Sequence, residues 1–144
     1  MIRPAEARDL ADLVRVENAV FPGDQLDRRA FRHALASATI DMLVADDGTF
    51  LGYVQVQRRT GSRLARLTSV AVAPEAAGRR LGRRLVEAAE HMARDKGCAR
   101  IRLEVRADNE RARRLYEQTG YRLFARVEDY YEDGEAALRF EKAL

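Results

Sequence analysis

LTSVAVAPEAAGRRLGRRLV, Leu67–Val86, is the stretch on which the reading of this 144-residue chain turns. A β-rich run from Thr68 to Val72 halts at Ala73-Pro74, crosses a short loop holding Gly78 and Gly82, and enters a helical pattern near Leu81. The order is strand, turn, helix N-terminus. The first amides of a helix lack partners within the helix and sit at the positive end of its dipole, and glycines let a ligand come close, so such a junction is an anion site. Arg79, Arg80, Arg83 and Arg84 add full positive charge. A phosphate-bearing ligand is therefore expected. The loop lacks the Gly-Lys-Ser/Thr of a P-loop and is not G-x-G-x-x-G, which disfavours nucleotide hydrolysis and dinucleotide binding.

Working outward from this stretch, Leu81, Leu85, Ala88, Ala89 and Met92 recur at helical spacing as far as Gly97. In Arg100–Val105 the apolar Ile101, Leu103 and Val105 alternate with Arg100, Arg102 and Glu104, the period of a strand. Asp108 reads as the N-cap of a helix ending at Gly120, and Tyr121–Val127 and Ala136–Glu141 read as closing strands. Upstream, a strand at Leu64–Val72 follows a turn at Gly61-Ser62, and strands at Met42–Ala45 and Phe50–Gln57 are joined across Asp46-Asp47-Gly48. A helix from the N-cap Asp27 to Ala36 sets Phe31 and Leu35 on one face; an earlier one, Ala7–Val20, is broken by Phe21-Pro22-Gly23-Asp24. Ile2-Arg3-Pro4 reads as the first strand. The expectation is a single α/β domain over residues 1–144, with one mixed sheet of about seven strands and about four helices.

Composition narrows the class. One domain is the expectation at this length, with nearly half the residues apolar and enough of them to bury a core. Nothing approaches the roughly eighteen continuous apolar residues of a membrane span, and no secretory pattern follows Met1, so a soluble cytoplasmic protein with no membrane partner is expected. The lone Cys98 fits a reducing compartment and reads as core filler. Net charge is only +3, yet every basic residue except Lys96 and Lys142 is arginine, whose fork suits phosphate and carboxylate. Acidic residues are interleaved throughout, and no nucleic-acid motif is present, so direct nucleic-acid binding is not expected. His33 and His91 lack metal-ligand spacing, and no metal is expected.

A second constellation carries the chemistry. LEVRADN, Leu103–Asn109, ends a strand and begins a helix, and RRLYEQTGY, Arg113–Tyr121, ends that helix. Asn109 and Tyr116 lie seven residues apart and share a helix face with Ala112. Glu104 stands near the C-terminal end of its strand, where open α/β sheets bind ligands. A carboxylate and a phenol therefore converge on one cleft, unless Glu104 is a solvated strand residue and Tyr116 a core aromatic.

The VAVAP, GRRLGRRL, LEVRADN and LYE segments together resemble the GNAT superfamily of N-acetyltransferases, and in particular its ribosomal-protein-alanine branch. The resemblance runs from IRP at the start through ENAVFP to DYYEDG near the end. It implies a sheet splayed at strand 4 and acetyl-CoA as cosubstrate. Val70, Ala71 and Val72 would offer backbone groups to the pantetheine arm. The loop of Gly78, Arg79, Arg80, Leu81, Gly82 and Arg83 would wrap the pyrophosphate, and Asn109 would touch the cofactor. The family loop reads Gln/Arg-x-x-Gly-x-Gly/Ala, and this chain departs from it with Ala77 and Arg80. By the same resemblance Glu104 is the general base, Tyr116 the acid that protonates sulfur, and Phe21, Pro22, Tyr130 and Tyr131 the walls of the acceptor groove. The acceptor would be the α-amine of a protein N-terminus, a task easier for a carboxylate than deprotonating lysine, whose ordinary pKa is about 10.4 against about 8. A small-molecule amine, or a non-catalytic acyl-CoA-binding module, are the readings left open, and the protein is expected to be a monomer or homodimer.

Overall fold

In the computed structural model, residues 1–21 and 27–144 are described. One seven-stranded sheet in the order β1-β2-β3-β4-β5-β7-β6 organises them. Its strands are β1 (Ile2–Pro4), β2 (Ile40–Asp46), β3 (Phe50–Arg58), β4 (Leu64–Val72), β5 (Arg100–Arg106), β6 (Arg122–Val127) and β7 (Ala137–Ala143). Four α-helices accompany it: α1 (Leu10–Val20), α2 (Arg28–Ala36), α3 (Leu81–Asp95) and α4 (Glu110–Gln118). All neighbouring strands run antiparallel except β4 and β5, which are joined by the α3 crossover and run parallel. The expected mixed α/β sheet is present, with β7 inserted between β5 and β6.

Strand alternation sorts the two faces. Ile101, Leu103 and Val105 of β5, with Leu138 and Phe140 of β7, turn toward α3 and join Leu85, Val86 and Ala89 in the core. Leu13, Val16 and Phe31 of α1 and α2 cover the other face over β3, where the Phe31 and Tyr53 rings meet edge to face at 5.5 Å. Each of the Val, Leu, Ile and Phe side chains among these contributes about 1.5–3 kcal/mol on burial. Gly52 of β3 belongs to this packing: a Cβ there would stand 2.6 Å from the Ala71 carbonyl oxygen of β4, so only glycine lets the two backbones close.

Beyond shifts of one or two residues at the ends of several elements, three features differ from the sequence reading. Ala7–Asp9 is a 3-10 turn preceding α1, because the Asp9 carboxylate accepts from the Glu6 amide at 2.7 Å and ties the turn off. The N-cap of α4 is Asn109, not Asp108: Asn109 has the non-helical backbone, and its Oδ1 accepts from the Ala112 amide at 3.1 Å, while Asp108 pairs with Arg106. The buried stripe of α3 runs through Leu81, Leu85, Val86, Ala89, Glu90 and Ala93, with Ala88 and Met92 only partly covered. Glu90 is tolerated in it because Tyr121 donates to one oxygen at 2.8 Å and Lys142 to the other at 3.0 Å. Cys98 is buried where α3 gives way to β5. No helix among the described residues is long and apolar enough to cross a membrane.

Candidate active site

The site originates in a failure of strand pairing. β4 stays paired with β3 as far as Val72, but pairs with β5 only at Leu64–Arg100, Ala65–Ile101 and Arg66–Arg102. Beyond Arg66 the parallel strands part, and a cleft of about 920 Å³ opens between Leu67–Val70 on one side and Leu103–Arg106 on the other. A bulge at Thr68, whose hydroxyl donates to the Gln55 carbonyl oxygen at 3.3 Å, bends β4 where the cleft begins.

Glu104 and Tyr116 both line this cleft. Glu104 points to the face carrying Arg66, Arg102 and Arg139. Its Oε1 accepts from Arg66, its Oε2 from the Tyr130 hydroxyl, and Arg139 lies 3.9 Å away. The carboxylate is 11% exposed, so it is held rather than solvated. That bond to Glu104, before burial, pushes the Tyr130 phenol above its ordinary pKa. Tyr116, on α4, reaches the cleft from the opposite, α3-bearing face, edge to face with Tyr121 at 5.4 Å. Burial pushes its phenol well above the ordinary range, keeping it protonated. Among the described residues its hydroxyl has no hydrogen-bond partner. The two candidate groups thus meet in one cleft from opposite sides of the sheet.

The loop expected to receive an anion lies at the start of α3, on the same face. The α3 ladder begins where the Arg84 amide donates to the Arg80 carbonyl at 3.2 Å, so the amides of Leu81, Gly82 and Arg83 precede its first bond. Gly78 has φ +86° and Arg80 φ +56°, both left-handed. For Gly78 this is free; for Arg80 it costs about 1–2 kcal/mol, and it falls where the resemblance expects glycine. Arg79, Arg80, Arg83 and Arg84 are all exposed. Arg79 stands 3.7 Å from Asp47 and Arg83 bonds Glu87 at 3.1 Å. Of the β4 trio, Val70 lines the cleft, Ala71 is buried opposite Tyr53, and Val72 packs toward Gly82. Asn109 lines the cleft while its Oδ1 caps α4.

Phe21 and Tyr131 also line the cleft, and Tyr130 reaches it through Glu104. Arg106 lies 4.9 Å over the Tyr131 ring, steadying the segment before β7. Pro22 lies outside the described residues. Three cleft residues carry no role in the sequence reading, Glu17 of α1, Gln55 of β3 and Ser69 of β4, and neither does Arg66, which holds the Glu104 carboxylate from β4. Only Glu17, inside ENAVFP, had a local signal. The others are visible only once register sets them beside one another. Among the described residues no group of three or more His, Cys, Asp or Glu could hold a metal ion.

Comparison with known proteins agrees with this geometry. The chain matches the acetyltransferase (GNAT) family over residues 8–121. A Bacillus subtilis (strain 168) relative, provisionally named a ribosomal protein bS18-alanine N-acetyltransferase, is 28% identical over 139 residues, covering 95% of this chain and 91% of the relative. A Sus scrofa thialysine N-epsilon-acetyltransferase is 28% identical over 147 residues, covering 98% and 83%. The solved ribosomal-protein-S18-alanine N-acetyltransferase from Escherichia coli superposes with a TM-score of 0.87 at 25% identity, covering 99% of this chain and 92% of that one. The parted strands, the arginine-rich turn into α3 and the family match over residues 8–121 lead to one conclusion: this chain belongs to the acetyltransferase (GNAT) family and is an N-acetyltransferase.

Proposed function

We propose that this enzyme moves the acetyl group of acetyl-CoA to the α-amine of a polypeptide N-terminus, of the alanine-starting kind for which its ribosomal-protein relatives are named. One observation carries the reading: the cleft passes through the sheet, with Tyr116 on the α3 side and Glu104 on the other. Donor and acceptor then enter from opposite faces and meet between β4 and β5. The α3 amides, the left-handed turn and the exposed arginines suit a pyrophosphate. The unpaired edge of β4 past Arg66, with Val70, Ala71 and Val72, suits an extended amide-bearing arm, and Asn109 stands beside it.

Bound acetyl-CoA supplies an electrophilic thioester carbonyl and a thiolate leaving group. Glu104 takes a proton from the acceptor nitrogen, directly or through one water. The nitrogen–carbon bond forms and the carbon–sulfur bond breaks, and the Tyr116 hydroxyl gives its proton to the departing sulfur. An amine held as its ammonium first sheds one proton through Glu104 to solvent; after the transfer Glu104 releases the second and Tyr116 regains one, so ammonium and thioester become amide, thiol and one free proton. Phe21, Tyr130 and Tyr131 flank the acceptor side.

An alanine-starting hexapeptide, its N-acetylated form, spermidine and thialysine test the proposal when offered at equal concentration with acetyl-CoA. Acetylation of the free peptide alone, at its first nitrogen, supports it. Turnover of the small amines without the peptide favours the second reading, a small-amine acetyltransferase, which the thialysine relative supports.

A further inference from the structure

The α1 side of the cleft holds a cluster that the two catalytic groups do not use. Gln55 is 5% exposed, lines the cleft, and among the described residues its Oε1 is a buried oxygen without a hydrogen-bond partner. Ser69 stands directly opposite it in the β3–β4 register, so both point to the same face. The Ser69 Oγ lies 2.7 Å from the Tyr53 hydroxyl, and the Tyr53 hydroxyl donates to Oε1 of Glu17, itself buried and cleft-lining.

Proton bookkeeping gives this cluster a polarity. Tyr53 has one hydroxyl hydrogen, and it goes to Glu17. The 2.7 Å contact must then be made by the Ser69 hydrogen. With that hydrogen spent, Ser69 meets the cleft with lone pairs only. Gln55 Oε1 and the Glu17 carboxylate also accept. Three acceptor oxygens belong to this wall, on the same sheet face as Glu104 across the gap: one is charged, and one, the covered Oε1 of Gln55 beside its own amide NH2, lacks a partner among the described residues. A buried acceptor in such a place asks for a donor, and the nearby negative charge selects a cationic one.

We infer that Glu17, Gln55 and Ser69 form the subsite that receives the N–H groups of the acceptor amine, with Tyr53 as the positioning residue that orients Ser69 and Glu17. The inference rests on the amine-acetylation reading above and adds the residues that hold the amine before Glu104 takes its proton. It also accounts for an oxygen left without a partner among the described residues.

Gln55→Leu tests this directly, because leucine matches the shape and removes the unmet acceptor without opening a hole. Steady-state kinetics are measured with the alanine-starting hexapeptide, spermidine and thialysine. The expected result is a KM for the amine raised about 10- to 100-fold, the value of a hydrogen bond to a charged group. The KM for acetyl-CoA stays within twofold and the thermal midpoint is equal or higher. Gln55→Glu, which keeps the acceptor and adds charge, restores the amine KM. Ser69→Ala and Glu17→Gln supply a second reading of the same wall, each raising the amine KM at least fivefold. An amine KM within twofold of wild type in Gln55→Leu and Ser69→Ala overturns the subsite. So does an equal rise in both substrates' KM values. Turnover of spermidine or thialysine but not peptide, with the amine KM still raised in Gln55→Leu, removes the N-terminal reading and keeps the subsite. Absence of turnover and of calorimetric binding for all three amines in the wild type overturns both.

Discussion

Arg66 and Glu104 meet across the fork of the sheet: Arg66 is the last β4 residue paired to β5, and its guanidinium donates to Oε1 of the carboxylate two residues beyond the fork. The contact spans the gap that the separating strands would otherwise leave open. With Tyr130 on the other oxygen, it fixes the carboxylate, and so, on the proposed mechanism, where Glu104 meets an incoming amine.

Glu104 is proposed to transfer a proton and Arg66 only to position it, and the two roles predict different losses. Glu104→Gln should lower kcat by about 10²–10⁴-fold, the range for general acid–base groups, with the acetyl-CoA KM unchanged. Tyr116→Phe should lower kcat while retaining the fold, since only a cleft-facing hydroxyl is lost. Arg66→Gln should cost less than tenfold. Single-turnover rates with the peptide acceptor check the ranking, and equal losses in Glu104→Gln and Arg66→Gln would contradict it.

Arg80 occupies a left-handed backbone position that glycine adopts freely. Arg80→Gly relieves strain of about 1–2 kcal/mol but gives the unfolded chain about 0.5–1 kcal/mol more entropy, so stability should rise by about 0–1.5 kcal/mol. Acetyl-CoA affinity, measured by calorimetry, should hold or improve because backbone amides are proposed to make the contact. A tenfold loss would assign the guanidinium itself to the phosphate.

Gly52 admits no side chain without moving the Ala71 carbonyl. Gly52→Ala should destabilise the protein by about 1–3 kcal/mol, the range for overpacking, and push on the β4 segment proposed to take the pantetheine arm. Urea unfolding gives the first effect and the KM for acetyl-CoA the second; Gly48→Ala makes a useful comparison, since open space surrounds that position and its strain is conformational alone.

Arg3 clamps the start of the fold by a fork to Asp9, both bonds 2.8 Å, and a 2.9 Å bond to Asp46. The Arg3 guanidinium holds the Asp9 carboxyl below the usual carboxylate range. A carboxyl whose folded pKa is depressed adds stability in full above its unfolded value of about 3.9 and loses it as pH falls through the folded value. Arg3→Gln should therefore cost about 2 kcal/mol at pH 7, and the gap from wild type should shrink below about pH 4. Urea midpoints between pH 7 and pH 2.5 measure it.

Much of this protein is legible along the chain because its determinants are local. Alternation in Arg100–Val105, the Asp27 cap and the Ala73-Pro74 stop each depend on a few neighbouring residues, and the strand–turn–helix junction at Leu81 follows from them. Glu104 and Tyr116 stand out as candidates for the same reason, each sitting in a short motif. The cap of α4 shows the limit of local reading: Asp108 and Asn109 are chemically near-equivalent there, and only backbone direction chose the second. What tertiary structure alone decided is register and separation. Pairing Gln55 with Ser69 and Arg66 with Arg102 depends on residues far apart in sequence, on the bulge at Thr68 and on where β4 and β5 cease to pair. Those long-range choices put Glu104 and Tyr116 on opposite sides of one cleft, clamp the carboxylate with Arg66 and Tyr130, and leave the Gln55 oxygen without a partner among the described residues, because side-chain convergence depends on packing that no local pattern encodes.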